Sequence, residues 1–247
     1  MIDSHCHLDF PELNNNLARV LQQAQVAGVS KFIVPSVSEQ NWQQVATISA
    51  TYPDVYCAFG LHPWFINQHC NLRLLEQYLK KPKCVAVGEC GLDFYHKDSD
   101  RLLQQEIFLA QIELANSLNL PLIVHSRKAV DQVLSLLAKY PNITVVLHGF
   151  AGSIEQAKLA IKRNFYLGVG TNICNPKASK IRKLAQFTPL ERILLETDSP
   201  DQRLKNHQFG TPSDLLSVAQ ELAKLKNLAF NTVLLQCQLN TKNCFKL

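Results

Sequence analysis

The sequence lacks any apolar run long enough to cross a bilayer. Its apolar stretches, such as residues 84–88, are far shorter than the roughly 20 residues that a membrane helix needs. The first residues carry neither the basic stretch nor the apolar stretch of a secretory signal. We therefore expect no membrane association and a cytoplasmic location, and nothing in the sequence indicates an obligatory protein partner.

No two of the eight cysteines have Cys-x-x-Cys spacing, the usual spacing of redox and structural zinc motifs. Cys57 and Cys84 lie in apolar stretches, where reduced cysteine behaves as a small core residue. Cys6 and Cys90 flank candidate metal ligands. On an extended strand, however, Cys6 would point away from His5 and His7 on either side of it. We predict packing roles for both and no disulfides.

No glycine-rich dinucleotide motif or P-loop follows any strand-like stretch, which weighs against a nucleotide-binding fold. No linker or low-complexity tract divides the 247 residues, so we predict a single domain over 1–247.

The net charge of +5 is mildly basic. It permits a polyanionic substrate without requiring one.

What the sequence does contain is a regular alternation of short apolar stretches and longer amphipathic ones. The short stretches are rich in Val, Ile and Leu, as expected for strands buried on both faces. The predicted strands are 1–4, 31–35, 55–60, 84–88, 122–124, 144–147, 165–169 and 192–195. The predicted helices are 13–27, 41–52, 72–80, 102–118, 130–140, 154–162, 180–186, 215–226 and 231–241.

Eight strand-then-helix units in a chain of this length predict an α/β fold of the (β/α)₈ TIM-barrel type. A doubly wound open sheet is the alternative. In a barrel, the chemistry is located at the C-terminal ends of the strands. The polar residues at those ends therefore become the candidate site.

The first strand is followed by His5 and His7. Residues two apart in an extended strand point to the same side, so both imidazoles can reach one metal ion. Taken alone, this spacing is also consistent with two unrelated histidines that share no metal ion.

The other strand ends strengthen the metal interpretation. The polar residues there are His62, Glu89, His125, His148 and Asp198. Six ligands (His5, His7, Glu89, His125, His148 and Asp198) predict a centre of two divalent ions, since buried polar groups need partners. We expect Glu89 to bridge the ions and Asp198 to accept a proton, which makes these two the catalytic residues.

Cations and aromatic residues accompany these ligands at the predicted rim. Arg127 and Lys177 are candidate phosphate contacts, and the alternative for each is a solvated surface charge. His62 is either a substrate contact and proton donor or a hydrogen-bonded loop histidine. Trp64 and Phe65 beside it could stack on a base or simply pack.

With these motifs in place, the sequence resembles the TatD family of metal-dependent deoxyribonucleases, and most closely its YjjV-type branch. The resemblance implies a TIM barrel, the same six ligands and magnesium-dependent 3′–5′ exonuclease activity, although related crystals often hold zinc. The loop 198–202 departs from the family's usual sequence there, so substrate contacts of that loop are not carried over. The matching motifs are DSHCHLD (3–9), GLHP (60–63), GECGLDF (88–94), PLIVHSR (121–127), LHGFAGS (147–153) and LLETDSP (194–200).

The leading hypothesis is a two-metal phosphodiesterase acting on DNA, with Mg²⁺ or Mn²⁺ in activity, Zn²⁺ as a plausible occupant and a single-stranded end preferred. The alternative is a hydrolase of a small phosphoester, amide or lactone. Many barrels of that second kind bridge their metals with a carboxylated lysine from the fourth strand. Here that strand ends in Glu89, and Lys83 lies before it. A non-catalytic metal-binding protein would be favoured only if ligands were missing.

Overall fold

Eight parallel strands form one sheet in sequence order in the computed structural model, which describes residues 1–247. This arrangement confirms the predicted TIM barrel and excludes the doubly wound alternative, whose strand order would be permuted. The strands are β1 (Ile2–Asp3), β2 (Lys31–Pro35), β3 (Val55–Phe59), β4 (Cys84–Asp93), β5 (Leu122–Arg127), β6 (Val145–Leu147), β7 (Tyr166–Val169) and β8 (Ile193–Leu195).

Ten α-helices connect and cover these strands. They are α1 (Pro11–Asn14), α2 (Leu17–Val26), α3 (Glu39–Thr51), α4 (Leu72–Leu79), α5 (Arg101–Leu118), α6 (Val130–Leu137), α7 (Ile154–Lys162), α8 (Ser179–Phe187), α9 (Leu215–Lys226) and α10 (Phe230–Phe245). None of them has the length and hydrophobicity needed to span a bilayer.

The first and last strands meet through loop contacts rather than through a regular ladder. The backbone N–H of Ser4 donates to the carbonyl of Leu195 at 3.0 Å, and that of Asp198 donates to the carbonyl of His5 at 2.9 Å. The barrel is therefore nearly closed. The closing contacts also tie the loop after β1 to the loop after β8.

Several elements differ in length from the sequence prediction, including β5, which continues to Arg127, and α6, which ends at Leu137. The predicted helix 13–27 is two helices, because Asn16 adopts a non-helical conformation between them. The fourth strand continues to Asp93 because it pairs with the extended end of β5, where Gly91 is opposite His125. The final helix runs four residues beyond the predicted end, until Lys246 turns into the left-handed region.

The apolar core has two parts. The larger part lies between the strands and the surrounding helices. The smaller part fills the barrel interior near the N-terminal ends of the strands, where side chains from six strands meet Cys244 and Phe245 of α10. The six strand residues are Ile33, Ala58, Ala86, Ile123, Val146 and Leu194.

Candidate metal centre

The strands that supply apolar side chains to the barrel interior also direct polar side chains into it, closer to their C-terminal ends. Ile123 and Val146 belong to the inner core, and residues two further along a strand point to the same face. His125 and His148 follow them at that spacing, so both imidazoles enter the barrel at its C-terminal mouth. The same apolar strand sequence thus fixes both the fold and the direction of the ligands.

Glu89 lies within β4 rather than beyond its end, and its side chain is only 3% exposed. The strand remains close to β5 at this level because Gly91 follows. Gly91 has a φ of +128°, a conformation that favours glycine, and a Cβ there would collide with the carbonyl of His125. Gly91 thus lets the strand that carries Glu89 lie directly beside the strand that carries His125.

One half of the centre gathers around the Oε2 atom of Glu89. The Nε2 atom of His5 lies 3.3 Å from Oε2, and that of His7 lies 3.7 Å from it. Both Nε2 atoms are 3.5 Å from Oδ1 of Asp198. The two Nε2 atoms are 3.2 Å apart. Two imidazoles and two carboxylates therefore converge on one point.

The other half gathers around the second oxygen of Glu89, Oε1. It lies 2.9 Å from Nε2 of His148 and 3.1 Å from Nδ1 of His125. These two ring nitrogens are 3.4 Å apart. Glu89 therefore directs one carboxylate oxygen into each half, which is the geometry that a bridging ligand requires.

The charges in this cluster are strongly coupled. Burial lowers the pKa of His5 to about 4. Burial acts in the same direction on His7 and His148, but their contacts with Asp198 and Glu89 outweigh it and raise the pKa of His7 to about 9 and that of His148 to about 10. Burial raises the pKa of Glu89 and of Asp198, but the surrounding histidines outweigh burial and hold both pKa values below the usual range. Both carboxylates are therefore ionised at neutral pH and available to a cation.

Asp93 orients His125 from outside the cluster. Its Oδ2 atom is 2.8 Å from Nε2 of His125 and 2.9 Å from the indole nitrogen of Trp64. A carboxylate only accepts, so Nε2 of His125 carries the proton and Nδ1 is left to act as the ligand. This carboxylate–histidine pairing is typical of protein metal sites.

His62 lies beside the second half, with Nε2 3.5 Å from Oε1 of Glu89, and could by distance hold a metal with Glu89 and His125. Its protonation argues for a different role. The backbone N–H of Trp64 donates to Nδ1 of His62 at 3.1 Å, so a neutral ring carries its proton on Nε2. Burial lowers the pKa of His62 to about 3, which keeps the ring neutral. His62 therefore presents an N–H donor toward the site.

Glu196 is a residue that the sequence reasoning missed. It is completely buried two residues before Asp198, and its Oε1 atom accepts from the backbone N–H of Gly149 at 2.6 Å. The same atom lies 3.8 Å from Nδ1 of His148. Burial raises the pKa of Glu196 to about 8. The signal was available, since an acidic residue directly after an apolar strand shares the inward face with Leu194.

Asp198 is held by a short chain of amide side chains. Its Oδ2 atom accepts from the side-chain amide of Gln202 at 2.8 Å. The amide oxygen of Gln202 in turn accepts from Asn172 at 2.9 Å. Oδ1 of Asp198 is thereby turned toward His5 and His7. The loop after β7 thus contributes to the position of a ligand that follows β8.

The remaining acidic and sulfur candidates near the ligands have structural contacts. Asp3 accepts from the hydroxyl of Thr197 at 2.6 Å, and Asp9 accepts from the side-chain amide of Asn41 at 2.8 Å. The thiols of Cys6 and Cys90 face backbone carbonyls of neighbouring strands. All eight cysteines are free, as predicted.

An open cavity of about 1300 Å³ is lined by five of the six proposed ligands, His7, Glu89, His125, His148 and Asp198. Arg127 and Lys177 both line this cavity, and the guanidinium carbon of Arg127 lies 3.6 Å from the centre of the Tyr95 ring. Trp64 and Phe65 are about half exposed on its wall, at 52% and 47%. The rim therefore combines fixed positive charge with accessible aromatic surface.

Two other cations that follow β7 are engaged within the chain. Arg182 forms an ion pair with Glu221 at 2.7 Å, and the ammonium group of Lys180 donates to the carbonyl of Ala151 at 2.8 Å. Lys177 is exposed, and its side chain makes no hydrogen bond or ion pair. Lys177 is therefore the cation of this loop that is free to meet a ligand.

The ligand atoms of this cluster suit more than one kind of divalent ion. Imidazoles suit Zn²⁺ and Mn²⁺, and the carboxylates suit Mg²⁺ and Mn²⁺ as well. The Nδ1 atoms of His5, His7 and His148 have no hydrogen-bond partner, whereas their Nε2 atoms face the carboxylates. All six predicted ligands are brought together, and they can hold metal.

Comparisons with known proteins agree with this geometry. The sequence profile of the family described as TatD related DNase matches residues 2–246. The uncharacterized metal-dependent hydrolase YjjV of Escherichia coli (strain K12) is 39% identical, with 92% of this chain and 89% of that protein covered. An uncharacterized metal-dependent hydrolase of Haemophilus influenzae is 35% identical, with 91% of each chain covered.

Solved structures lead to the same relatives. The crystal structure of YjjV, a TatD homologue from Escherichia coli K12, has a TM-score of 0.96 and 36% identity, and covers 100% of this chain and 98% of its own. The fold and these relatives agree, and the cluster of histidines and carboxylates could hold metal. This chain is a metal-dependent hydrolase that belongs to the TatD family.

Proposed function

We propose that the protein is a divalent-metal-dependent phosphodiesterase that removes nucleotides from single-stranded DNA ends in the 3′–5′ direction. The observation that carries this proposal is the position of Glu89, with one oxygen in each half of a histidine-rich cluster beside a cationic rim. The TatD family name adds the nuclease class, and the single-stranded preference follows from a net charge of only +5.

Two ions would be held by His5, His7, Asp198 and Glu89 on one side and by His125, His148 and Glu89 on the other. Mg²⁺ or Mn²⁺ is the proposed ion in activity, and Zn²⁺ also fits the imidazole donors. When bound, such a pair would polarise the phosphate and lower the pKa of an attacking water toward neutrality.

The protein's own residues have separate tasks around the scissile phosphate. Asp198 is ionised and turned inward, so its carboxylate is the proposed acceptor for the proton of the attacking water. His62 directs its Nε2 proton toward the same space, where it can donate to a substrate oxygen. A proton acceptor and a hydrogen-bond donor thus flank the position of the reacting group.

The cavity wall suits the rest of a nucleotide. Arg127 and Lys177 are proposed to bind phosphates, for which a guanidinium fork and a free ammonium group are both suited. Trp64 and Phe65 offer ring faces on which a base can stack without sequence preference.

A hydrolase of a small amide or lactone fits this site less well. Lys83, the lysine nearest to the fourth strand, donates to the carbonyls of Ser49 and Tyr52 at 2.7 Å each. It is therefore engaged before the strand begins and does not replace Glu89 as a bridge. A small phosphoester uses the same ligands and serves as the competing substrate in the test.

The central experiment strips the protein with chelator and restores Mg²⁺, Mn²⁺ or Zn²⁺ separately. Single-stranded DNA, RNA and a generic phosphodiester are then assayed, with DNA labelled at either end to give the polarity. We expect metal-dependent shortening of DNA from its 3′ end. Cleavage of the generic phosphodiester alone would instead indicate a small-molecule hydrolase.

The role of the rim is tested with an Arg127→Ala/Lys177→Ala double variant. We expect a higher KM on a single-stranded oligonucleotide and a salt dependence shallower by about 0.7 per lost phosphate contact. The control is Lys139→Ala, which changes an exposed lysine just after the C-terminal end of α6 that does not line the cavity. An unchanged KM and salt dependence would reduce Arg127 and Lys177 to ordinary surface charges.

A further inference from the structure

A second cleft, of about 1010 Å³, opens beside the metal cavity between the loops that follow β7 and β8. It is at the upper end of the roughly 300–1,000 Å³ typical of small-molecule pockets. None of the six proposed metal ligands lines it. Its size alone indicates space for more than one nucleotide-sized unit.

The charges that line this cleft have one sign. Lys177, Arg203 and Lys205 line it, and no aspartate or glutamate does. His207 also lines it and pairs through Nδ1 with the buried Asp214 at 3.3 Å. Most of the other lining residues are amide and hydroxyl side chains. Such a surface favours an anion that makes repeated polar contacts.

The two cavities adjoin one another. Asn172 and Lys177 line both of them, so the boundary between the cavities is a shared wall of polar and cationic side chains. Asn172 also donates to Gln202, which holds Asp198. A chain whose end lies at the metal ligands can therefore continue past Asn172 and Lys177 into the second cleft.

We propose that the second cleft binds the sugar–phosphate backbone of the same nucleic-acid strand whose end is cleaved, an assignment that rests on the proposed function. Arg203 and Lys205 meet phosphates several nucleotides from the scissile bond. No Phe, Tyr or Trp lines the cleft, so its contacts are with the backbone and carry no base preference. Aromatic rings on which a base can stack, such as Trp64 and Phe65, line the first cavity instead.

Lys205 is the residue on which this proposal is best tested. Its side chain is exposed and makes no hydrogen bond or ion pair, so changing it leaves the loop intact. Arg203 is less suitable, because its guanidinium donates to the carbonyls of His207 and Gln208 and holds the loop together. Lys139→Glu makes the same charge change at an exposed lysine that lines neither cavity and is the matched control.

The experiment measures fluorescence anisotropy of metal-loaded protein with phosphorothioate-linked DNA, whose cleavage is slow. Oligonucleotides of roughly 4 and roughly 16 nucleotides span the site sizes of single-strand grooves. We expect Lys205→Glu to weaken binding of the longer oligonucleotide by roughly five-fold and to leave the shorter one and the Lys139→Glu control unchanged. Loss confined to the longer strand would support the cleft.

Two further outcomes separate the possible failures. If the parent protein cleaves DNA but Lys205→Glu binds both lengths as the parent does, the cleft assignment is overturned and the nuclease proposal stands. An equal loss for both lengths also overturns it, because that result indicates a general charge effect. If the parent neither binds nor cleaves either oligonucleotide with any of the three metals yet hydrolyses the generic phosphodiester, both proposals are overturned.

Discussion

At the N-terminal mouth of the barrel, the interior is filled by apolar side chains and closed by Cys244 and Phe245 of α10. At the C-terminal mouth, the same interior holds histidines and carboxylates with little exposure to water, among them His5, His148 and Glu89. The strands are common to both mouths. Residues Ile123 and His125, two positions apart on β5, belong to the two different regions.

The difference separates the sources of stability and function. The apolar mouth needs no bound ion or ligand, because the burial of its side chains against one another is itself stabilising. The polar mouth contains Glu89 and Asp198 as ionised groups, and such buried charges are stabilised when cations hold them. We therefore expect variants at the apolar mouth to change the free energy of unfolding with little effect on metal content. Variants at the polar mouth should change metal content with little effect on the free energy of unfolding.

Glu89→Ala should have the largest effect. It removes a ligand oxygen from both halves at once, so we expect at most one weakly bound ion. Activity should fall by more than the roughly 10- to 100-fold that loss of an outer partner of a metal site costs. Elemental analysis after dialysis gives the ion count, with the exposed Glu106→Ala on α5 as a control. Two retained ions would refute the bridging role.

Phe245→Ala should produce the largest effect at the other mouth. The Phe245 ring is 3% exposed and seals the inner core, so we expect a loss of about 3–5 kcal/mol in the free energy of unfolding. Urea denaturation measures the change, and Leu235→Ala, on an exposed position of α10, should change it by only about 0.5 kcal/mol or less. Loss of metal from folded Phe245→Ala protein would contradict the separation of the two mouths.

The sequence predicted the barrel because its strands are short, apolar and separated by helical stretches. It also predicted that the six proposed ligands lie close together, since each is near the end of an apolar strand and the strand ends of a barrel converge. The same reasoning could not give the length of β4. That strand extends through Asp93 because Gly91 permits close pairing with β5, a contact between residues distant in sequence.

Outer contacts of the ligands were harder to predict for a related reason. The role of Gln202 depends on the left-handed turn at Asp198, which has a φ of +53°, and on a partner from another loop. The sequence left His62 between two roles, and the position of its ring proton depends on the backbone N–H of Trp64, which the sequence alone does not place. Such details depend on loop conformation, which no periodic pattern specifies.

Asp198→Asn should be next in size. Asparagine keeps the shape of the side chain but is a weaker ligand and a poor proton acceptor. We expect a fall in kcat of about 100-fold or more, within the range for loss of a general base, with KM largely kept. Steady-state kinetics at saturating metal provide the measurement. Turnover near the parent value would reject Asp198 as the proton acceptor, and unchanged unfolding would confirm that its role is not structural.

Gln202→Met should have the smallest effect of the four. The change keeps the length of the side chain but removes the N–H that holds Oδ2 of Asp198 at 2.8 Å. Because Asp198 remains present and only its orientation loosens, we expect kcat to fall by about 10-fold, at the low end for outer contacts of a metal site. KM and the urea midpoint should stay close to the parent values.

Asn172→Ala provides a graded comparison for the same contact. It removes the donor to Gln202 at 2.9 Å but leaves the bond from Gln202 to Asp198 in place. A positioning chain therefore predicts a smaller fall in kcat for Asn172→Ala than for Gln202→Met, and no added loss when the two are combined, since the second link acts only through the first. Equal and additive losses would mean that the two residues act separately, each through its own contact with substrate.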